Sequence, residues 1–244
     1  VRKFLRLKGI EWTSHVVDLL KKEQHSDFYM GINPRGLVPT LIHDGRVIIE
    51  SNDILAYLES EFPDPPLIPD ASRENVNSLL KFEDDLHLDI RALTRRFVFP
   101  TFRVRRSEKD IAQYEATGSG TVNGASDPNR RREAKFWRDM NTHGGSTDAR
   151  ARLAFNRFRN ALDAFEANVL RDGFLAGDAL SALDIAWYIY ARRLLSAGYP
   201  LARLHPNLAA WFERIHADPK LRGEVPEGGV PDLITKALHA AQRL

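Results

Sequence analysis

The spacing of hydrophobic and polar residues predicts a compact β-hairpin and helix early in the chain. In residues 38–49, two short runs of β-branched and apolar residues flank His43-Asp44-Gly45, and Asp-Gly is a strong signal for a tight hairpin. After Glu50, apolar residues recur at the spacing of one helix face: Ile54, Leu55, Leu58 and Phe62. The pattern therefore predicts strand, turn, strand and helix in that order.

Two further elements are predicted ahead of the hairpin. An amphipathic helix is expected at the start of the chain, where apolar positions share a face: Val1, Phe4, Leu5, Leu7 and Ile10. Residues 12–19 alternate loosely between apolar and polar positions, which predicts a strand. The polar segment that follows contains His25, which we expect in a solvent-exposed loop.

Helical periodicity dominates from Ser72 onward. It predicts one long amphipathic helix over residues 76–93 and another over residues 151–169. Residues 107–145 are rich in glycine and charge, and we expect an irregular insertion between helices there. No strand pattern of similar quality to the hairpin is found in this part of the sequence.

A change of composition separates these two regions. Four prolines in residues 63–69 break any helix and stiffen the chain, so we place a linker at residues 63–72. The linker divides an α/β domain, residues 1–62, from an all-helical domain, residues 73–244.

The most constrained turn lies directly before the hairpin. Asn33-Pro34-Arg35-Gly36 has the composition of a tight turn, and Pro39 lies where a strand should begin although proline donates no ladder hydrogen bond. A cis Val38–Pro39 bond would turn the Val38 N–H and C=O outward, towards an extended peptide. Glu50 and Ser51, at the next helix start, would suit an ammonium group and a carboxylate. Taken singly, these residues are also explained by a strand edge and a helix cap.

Composition limits the partners that we expect. The chain has 244 residues, of which 43% are hydrophobic and 28% charged, a normal balance for a soluble globular protein. Its 35 basic and 33 acidic residues leave no basic excess for nucleic acid, and no apolar run approaches the roughly 18 residues of a membrane span. The absence of cysteine excludes disulfides, thiolate metal sites and a cysteine nucleophile, and fits a cytoplasmic location. Any reactive sulfur must therefore come from a ligand.

Two charged segments allow alternative interpretations. Asp84, Asp85 and Asp89 could share a divalent metal, but His87 points elsewhere on the helix, so we expect a solvated or partner-facing surface and no metal. The arginine triplet at residues 130–132 could form an anion patch or a solvated charge run.

The aromatic residues of the insertion are similarly open to two interpretations. Tyr114, Phe136 and Trp137 could cover an apolar substrate, or they could anchor the insertion.

Taken in order, the motifs of residues 33–51 resemble those of the glutathione transferase family. Members carry N-P-x-G-x-V-P, a D-G hairpin and then E-S at a helix start. The sequences of residues 174–186 and 205–215 resemble the family's F/Y-L-x-G-x-x-x-S/T-x-x-D motif and its last core helix. The resemblance implies a thioredoxin-like domain that binds glutathione, followed by an all-helical domain, and it covers the chain except the insertion.

The resemblance assigns site residues to particular parts of glutathione. It implies that Val38, before the cis-proline Pro39, pairs with the cysteinyl backbone, and that Glu50 and Ser51 hold the γ-glutamyl end. His25 would bind the glycyl carboxylate, where related bacterial members use histidine or glutamine. Many members carry lysine where this chain has Leu37, which removes one expected polar contact.

The second motif has a structural explanation. Ser181 and Asp184 have the spacing of a capping box, in which each side chain satisfies a main-chain N–H of the first helical turn.

The first residues match the helix that follows the first strand and catalytic loop of the family, through Val1-Arg2, Leu5 and Lys8-Gly9-Ile10. We therefore expect the first strand and the catalytic serine, tyrosine or cysteine upstream of Val1, and assign no catalytic residue.

By resemblance, the activity is that of a glutathione transferase, with glutathione as co-substrate, a small apolar or aromatic electrophile, and a homodimeric assembly. Residues 23–27, 32–36 and 43–45 look most like the bacterial β-etherase branch, which cleaves aryl ethers from lignin. The resemblance therefore implies a role in detoxification or in aromatic degradation.

A non-catalytic binding or assembly module of the same fold is the alternative, and a peroxidase or isomerase using the same thiol also fits. Intact Val38-Pro39 and Glu50-Ser51 favour retained glutathione binding.

Overall fold

The computed structural model describes residues 1–19, 21–99, 106–117, 121–122, 124–168 and 173–221. Its first region contains two short helices, a hairpin and a third helix: α1 Arg2–Leu7, α2 Asp27–Ile32, β1 Thr40–His43, β2 Arg46–Ile49 and α3 Ser51–Glu61. The second contains eight helices and a very short hairpin within the described residues: α4 Arg73–Asp85, α5 His87–Phe97, α6 Glu108–Ala116, β3 Thr121–Val122, β4 Ala125–Ser126, α7 Pro128–Thr142, α8 Asp148–Asn168, α9 Ala182–Ser196, α10 Leu201–Leu204 and α11 Pro206–Ala217. None of the helices described is long and apolar enough to cross a membrane.

The predicted hairpin and helix are confirmed. β1 and β2 are antiparallel, with Thr40 opposite Ile49 and His43 opposite Arg46. The two-residue loop between them has positive φ at both positions, 48° at Asp44 and 76° at Gly45, as the tight hairpin turn requires. Helix α3 buries the predicted face towards the helical region.

The prediction of a strand over residues 12–19 was wrong. These residues form no regular structure, and Trp12, Val16 and Leu19 are all exposed. An extended segment becomes a strand only when a neighbour pairs with its N–H and C=O groups. In the part of the chain that the structure describes, β1 and β2 pair only with each other.

The single long helix predicted over residues 76–93 is divided at Leu86 into α4 and α5. There the Leu86 N–H donates to the Glu83 carbonyl, 3.0 Å away, so the spacing is three residues rather than the four of an α-helix. Leu86 is fully buried, and its hydrophobicity maintained the periodic pattern across the break. The pattern could therefore not reveal the division.

The irregular insertion expected over residues 107–145 is largely regular, which corrects the prediction. It contains α6, α7 and the β3–β4 hairpin, while residues 118–120 lie outside the described part. The Ser107 side chain accepts from the Asp110 N–H, and that of Asp127 accepts from the Asn129 N–H, so both helices begin at side-chain caps. The many glycine and charged residues in this segment obscured the two caps in the sequence pattern.

The aromatic side chains of this segment anchor it. Tyr114, Phe136 and Trp137 are buried, and the last two pack in a separate small core with Ile111 and Met140. Arg130 is also buried, and its guanidinium donates to the Tyr114 carbonyl. The anchoring interpretation of the aromatic residues therefore fits the structure, and Arg130 is not a solvated charge.

A buried ion pair joins the first region to the proline-rich segment. The Lys8 ammonium lies 2.7 Å from the Glu59 carboxylate and donates to the carbonyls of Phe62 and Pro65. Glu59 in turn accepts from the N–H of Leu67. Full hydrogen bonding of both charges offsets their loss of water and fixes the path of the chain after α3.

The start of α9 has the capping box expected from sequence. The Asp184 carboxylate accepts from the N–H and hydroxyl of Ser181, from the Leu175 N–H and from Trp211 Nε1, at 2.7–2.9 Å. Asp184 is fully buried and connects three segments of the helical region. One side chain thus fixes the start of α9 against α11.

We expect Asp184→Ala to lower the free energy of unfolding by about 2–4 kcal/mol, because it leaves several buried donors unsatisfied. Thermal melting should show a fall in midpoint of roughly 5–15 °C. The exposed Asp178→Ala is the matched control and should melt like the parent. An unchanged midpoint for Asp184→Ala would contradict the structural role.

Candidate functional site

A cavity of about 760 Å³ lies between the turn before β1 and the helices of the second region. Four of the five site residues assigned by resemblance line it: Val38, Pro39, Glu50 and Ser51. The fifth, His25, lines a separate cavity of about 280 Å³. The structure therefore brings the cis-proline turn and the start of α3 together, and leaves His25 outside.

The turn presents unpaired main-chain groups to the cavity. The Val38–Pro39 bond is cis, Val38 is 44% exposed, and its N–H and C=O have no hydrogen-bond partner among the described residues. The preceding Leu37 carbonyl is fixed by the Tyr29 hydroxyl and the Asn33 amide, each at 2.8 Å. A rigid turn with free N–H and C=O groups can accept an extended peptide as an added strand.

Gly36 allows this turn for two reasons. Its φ is +59°, and a Cβ built there would lie 2.8 Å from the Met30 sulfur and 3.0 Å from the His25 ring. Any larger residue would be strained in its backbone and would displace these neighbours.

Glu50 carries local strain at the mouth of the cavity. Its φ of 67° and ψ of 132° are rare for a residue other than glycine, and its side chain does not cap α3. The carboxylate instead accepts from Arg35 Nη1 at 2.6 Å. Ser51 begins α3, and its hydroxyl has no partner in the described part of the chain. The Glu50 carboxylate is therefore hydrogen bonded to Arg35, whereas the Ser51 hydroxyl is available to a ligand.

Arg35 joins this turn to the helical region. Its Nε and Nη2 donate to the two carboxylate oxygens of Asp127, at 2.8 and 3.1 Å, and its carbonyl accepts from the Tyr114 hydroxyl at 2.9 Å. Burial lowers the pKa of Arg35, but the hydrogen bonds to Asp127 and Glu50 raise it by more than burial lowers it. The net shift is upward, so the guanidinium stays charged. No sequence pattern indicates this contact, since Arg35 and Asp127 are 92 residues apart.

His25 ends a 3₁₀ helix, Glu23–His25, and its ring packs 5.3 Å from that of Tyr114. Burial, followed by the charge of Arg106, lowers its pKa to about 4, so the imidazole is neutral at pH 7. The neighbouring Gln24 lines the main cavity, and its buried Oε1 has no hydrogen-bond partner among the described residues. The prediction from sequence named His25 for this role and did not single out Gln24.

The helical wall of the cavity is more charged than the apolar pocket expected from sequence. Leu88 and Ile189 are apolar, but they lie among the cavity's arginines: Arg35, Arg91, Arg95, Arg106, Arg132 and Arg193. Both oxygens of Glu133 bind Arg91, and Glu133 Oε1 also accepts from Trp137 Nε1 at 2.8 Å. Although burial opposes it, Arg91 holds the pKa of Glu133 below its ordinary value.

Two carboxyl groups lie at the end of α4, where Glu83 is buried and Asp84 is exposed. Desolvation raises the pKa of Glu83 to about 7 and that of Asp84 to about 6. The Asn52 amide donates to Glu83 at 3.0 Å and to the Leu80 carbonyl at 3.0 Å. No group of acidic and histidine side chains in the described ranges could hold a metal ion, and Asp89 pairs with Arg157 instead.

Comparison with known proteins shows which protein family this chain resembles. Residues 1–61 match the model of the glutathione S-transferase N-terminal domain, and residues 132–214 that of its C-terminal domain, together more than half of the chain. Protein LigF from Sphingobium sp. strain SYK-6 is 28% identical over 94% of this chain and 89% of the relative. The crystal structure of β-etherase LigF covers 90% of each chain at 26% identity, with a TM-score of 0.72. A probable maleylacetoacetate isomerase from Caenorhabditis elegans is 46% identical, but over only 28% of this chain and 32% of its own length.

The raised pKa of Glu83 gives a signed pH dependence. The fold favours the protonated form, so this contribution to stability is present below pH 4.5 and is lost as pH rises through about 7. Glu83→Gln removes the titration, so we expect the variant to lose about 2–3 kcal/mol less stability than the parent between pH 5 and pH 8. Urea unfolding at both pH values measures this, with exposed Glu74→Gln as the control; equal losses in parent and Glu83→Gln would contradict it.

Proposed function

The chain belongs to the glutathione S-transferase family, and from that premise we propose that it binds glutathione at the cis-proline turn and transfers it to an electrophile. The observation that carries the proposal is the unpaired main chain of Val38, in the same cavity as the free Ser51 hydroxyl. A peptide with a charged end fits both groups at once.

Each part of the tripeptide is assigned a partner in this proposal. The Val38 N–H and C=O pair with the cysteinyl residue, and Pro39 fixes their direction. The Ser51 hydroxyl and the first N–H groups of α3 bind the γ-glutamyl carboxylate, while Glu50, oriented by Arg35, binds the ammonium group.

The glycyl carboxylate lies towards the loop of residues 23–27. Gln24 supports this assignment better than His25, because Gln24 lines the cavity and His25 does not.

The chemistry is that of the bound sulfur. A free thiol has a pKa near 8.5, so it is mostly protonated at pH 7, and a nearby donor or positive charge increases the thiolate fraction. The thiolate forms a C–S bond with an electrophilic carbon as the bond to the leaving group breaks. We assign the activating hydroxyl to none of the described residues.

Glutathione binding is tested by thermal shift and calorimetric titration. At about 100 times its Kd, glutathione should stabilise the protein by roughly 2.7 kcal/mol. Ser51→Ala should weaken binding about tenfold, because a hydrogen bond to a charged carboxylate is lost. Ser60→Ala, an exposed change on the same helix, should bind like the parent.

The same titration tests the alternative of a non-catalytic module. No stabilisation by millimolar glutathione would reject the transferase proposal and favour a binding or assembly module of this fold.

Among possible reactions, we propose cleavage of a β-aryl ether. The support is the similarity to LigF along nearly the whole chain, whereas similarity to the isomerase is confined to a short stretch. The glutathione thiolate attacks the carbon that bears the ether oxygen, the C–S bond forms, the C–O bond breaks, and the phenolate leaves and takes up a proton. Glutathione is consumed stoichiometrically.

We expect the protein to release phenol from a β-aryl ether ketone, with one glutathione thioether formed per phenol. Chromatography quantifies both products, and 1-chloro-2,4-dinitrobenzene serves as the parallel general substrate. Turnover of the chloronitroaromatic without phenol release would instead indicate a general conjugating enzyme of detoxification.

Two parts of the proposal have support from the family alone. We propose a homodimer, as is usual for these transferases, and a cytoplasmic location in a bacterium that degrades aromatic compounds.

A further inference from the structure

The helical wall of the cavity contains an arginine cluster, which we define as Arg91, Arg95, Arg106 and Arg193. Arg91 and Arg95 are one turn apart on α5, Arg193 lies in the last turn of α9, and Arg106 precedes α6. All four line the cavity that contains Val38 and Ser51. Three separate segments therefore place arginines in the lining of one cavity.

Acidic residues also line this cavity, and of these Glu133 and Glu83 act on the arginines of the cluster; the others are Glu50, Asp53, Asp84 and Asp85. Glu133 is engaged by Arg91 through both oxygens. Arg193 donates to a neutral acceptor, the Thr94 hydroxyl, at 3.1 Å. Burial raises the pKa of Glu83, the other carboxyl near Arg193, to about 7, which weakens its negative charge at neutral pH.

Arg106 is the member best placed for a ligand. Its guanidinium lies 4.3 Å from the centre of the Trp137 ring, and no hydrogen-bond acceptor for its side chain is found among the described residues. Burial, with repulsion from other arginines, lowers the pKa of Arg106 and Arg193, and that of Arg95 to about 10. A bound anion would relieve this repulsion and supply an acceptor for Arg106.

We propose that the arginine cluster is a subsite for a carboxylate on the second substrate, so that an aromatic electrophile bearing a carboxylate is preferred over its neutral counterpart. The planar guanidinium matches a carboxylate in two parallel hydrogen bonds. Leu88 and Ile189, in the same cavity, contact the apolar part of the substrate. This inference rests on the proposed function, because it names the partner of the bound thiolate.

Paired probes of the same shape test the subsite by calorimetry: naphthalene-2-carboxylate and the neutral naphthalene-2-carboxamide, each with and without saturating glutathione. We expect the parent to bind the carboxylate at least tenfold more tightly. Arg106→Gln should reduce that preference to threefold or less, Arg106→Lys should retain part of it, and Arg159→Gln, outside the cavity on α8, should retain all of it.

Equal binding of the two probes to the parent overturns the inference, even where Arg106→Gln does not fold. Competitive displacement of glutathione by the naphthalenecarboxylate also overturns it, because the cluster would then bind a carboxylate of glutathione itself. A retained carboxylate preference in a protein that binds no glutathione supports the anion subsite while rejecting the transferase function.

Discussion

One guanidinium group joins the two regions of the protein at the site. Arg35 lies in the turn before β1, yet it holds Glu50 at the start of α3 and Asp127 at the start of α7. Only 15% of its side chain is exposed, so the charge is stable there only because both carboxylates are hydrogen bonded to it. The positions of the cis-proline turn, the strained Glu50 and the helical wall are therefore interdependent.

The two walls of the cavity offer different kinds of interaction. The hairpin wall offers hydrogen bonds, from the Val38 main chain and the Ser51 hydroxyl, which suit a peptide of fixed shape. The helical wall offers the arginine cluster, whose positive charge suits an anion. In the proposed function the reacting sulfur is that of the bound peptide, as the chain itself has no cysteine. In that proposal, peptide binding on the hairpin wall places the sulfur beside the ligand on the helical wall.

The sequence predicted the elements that depend on local chemistry. The Asp-Gly hairpin and the Ser181–Asp184 capping box follow from residues a few positions apart, whereas the cis Val38–Pro39 bond was implied by the family resemblance. Contacts between distant residues left no such pattern, which is why Arg35–Asp127 and Lys8–Glu59 were missed. Hydrophobic periodicity failed where burial continued through a change of backbone, as at Leu86, and where a strand pattern had no pairing partner, as at residues 12–19.

The central claim is that glutathione binds along the Val38–Pro39 turn between the two walls. A crystal structure of the full chain with glutathione measures it most directly. The account predicts two main-chain hydrogen bonds of 2.7–3.2 Å between Val38 and the cysteinyl residue, with a glutathione carboxylate on Ser51. A peptide bound elsewhere, or a Val38 main chain still unpaired beside it, would contradict the account.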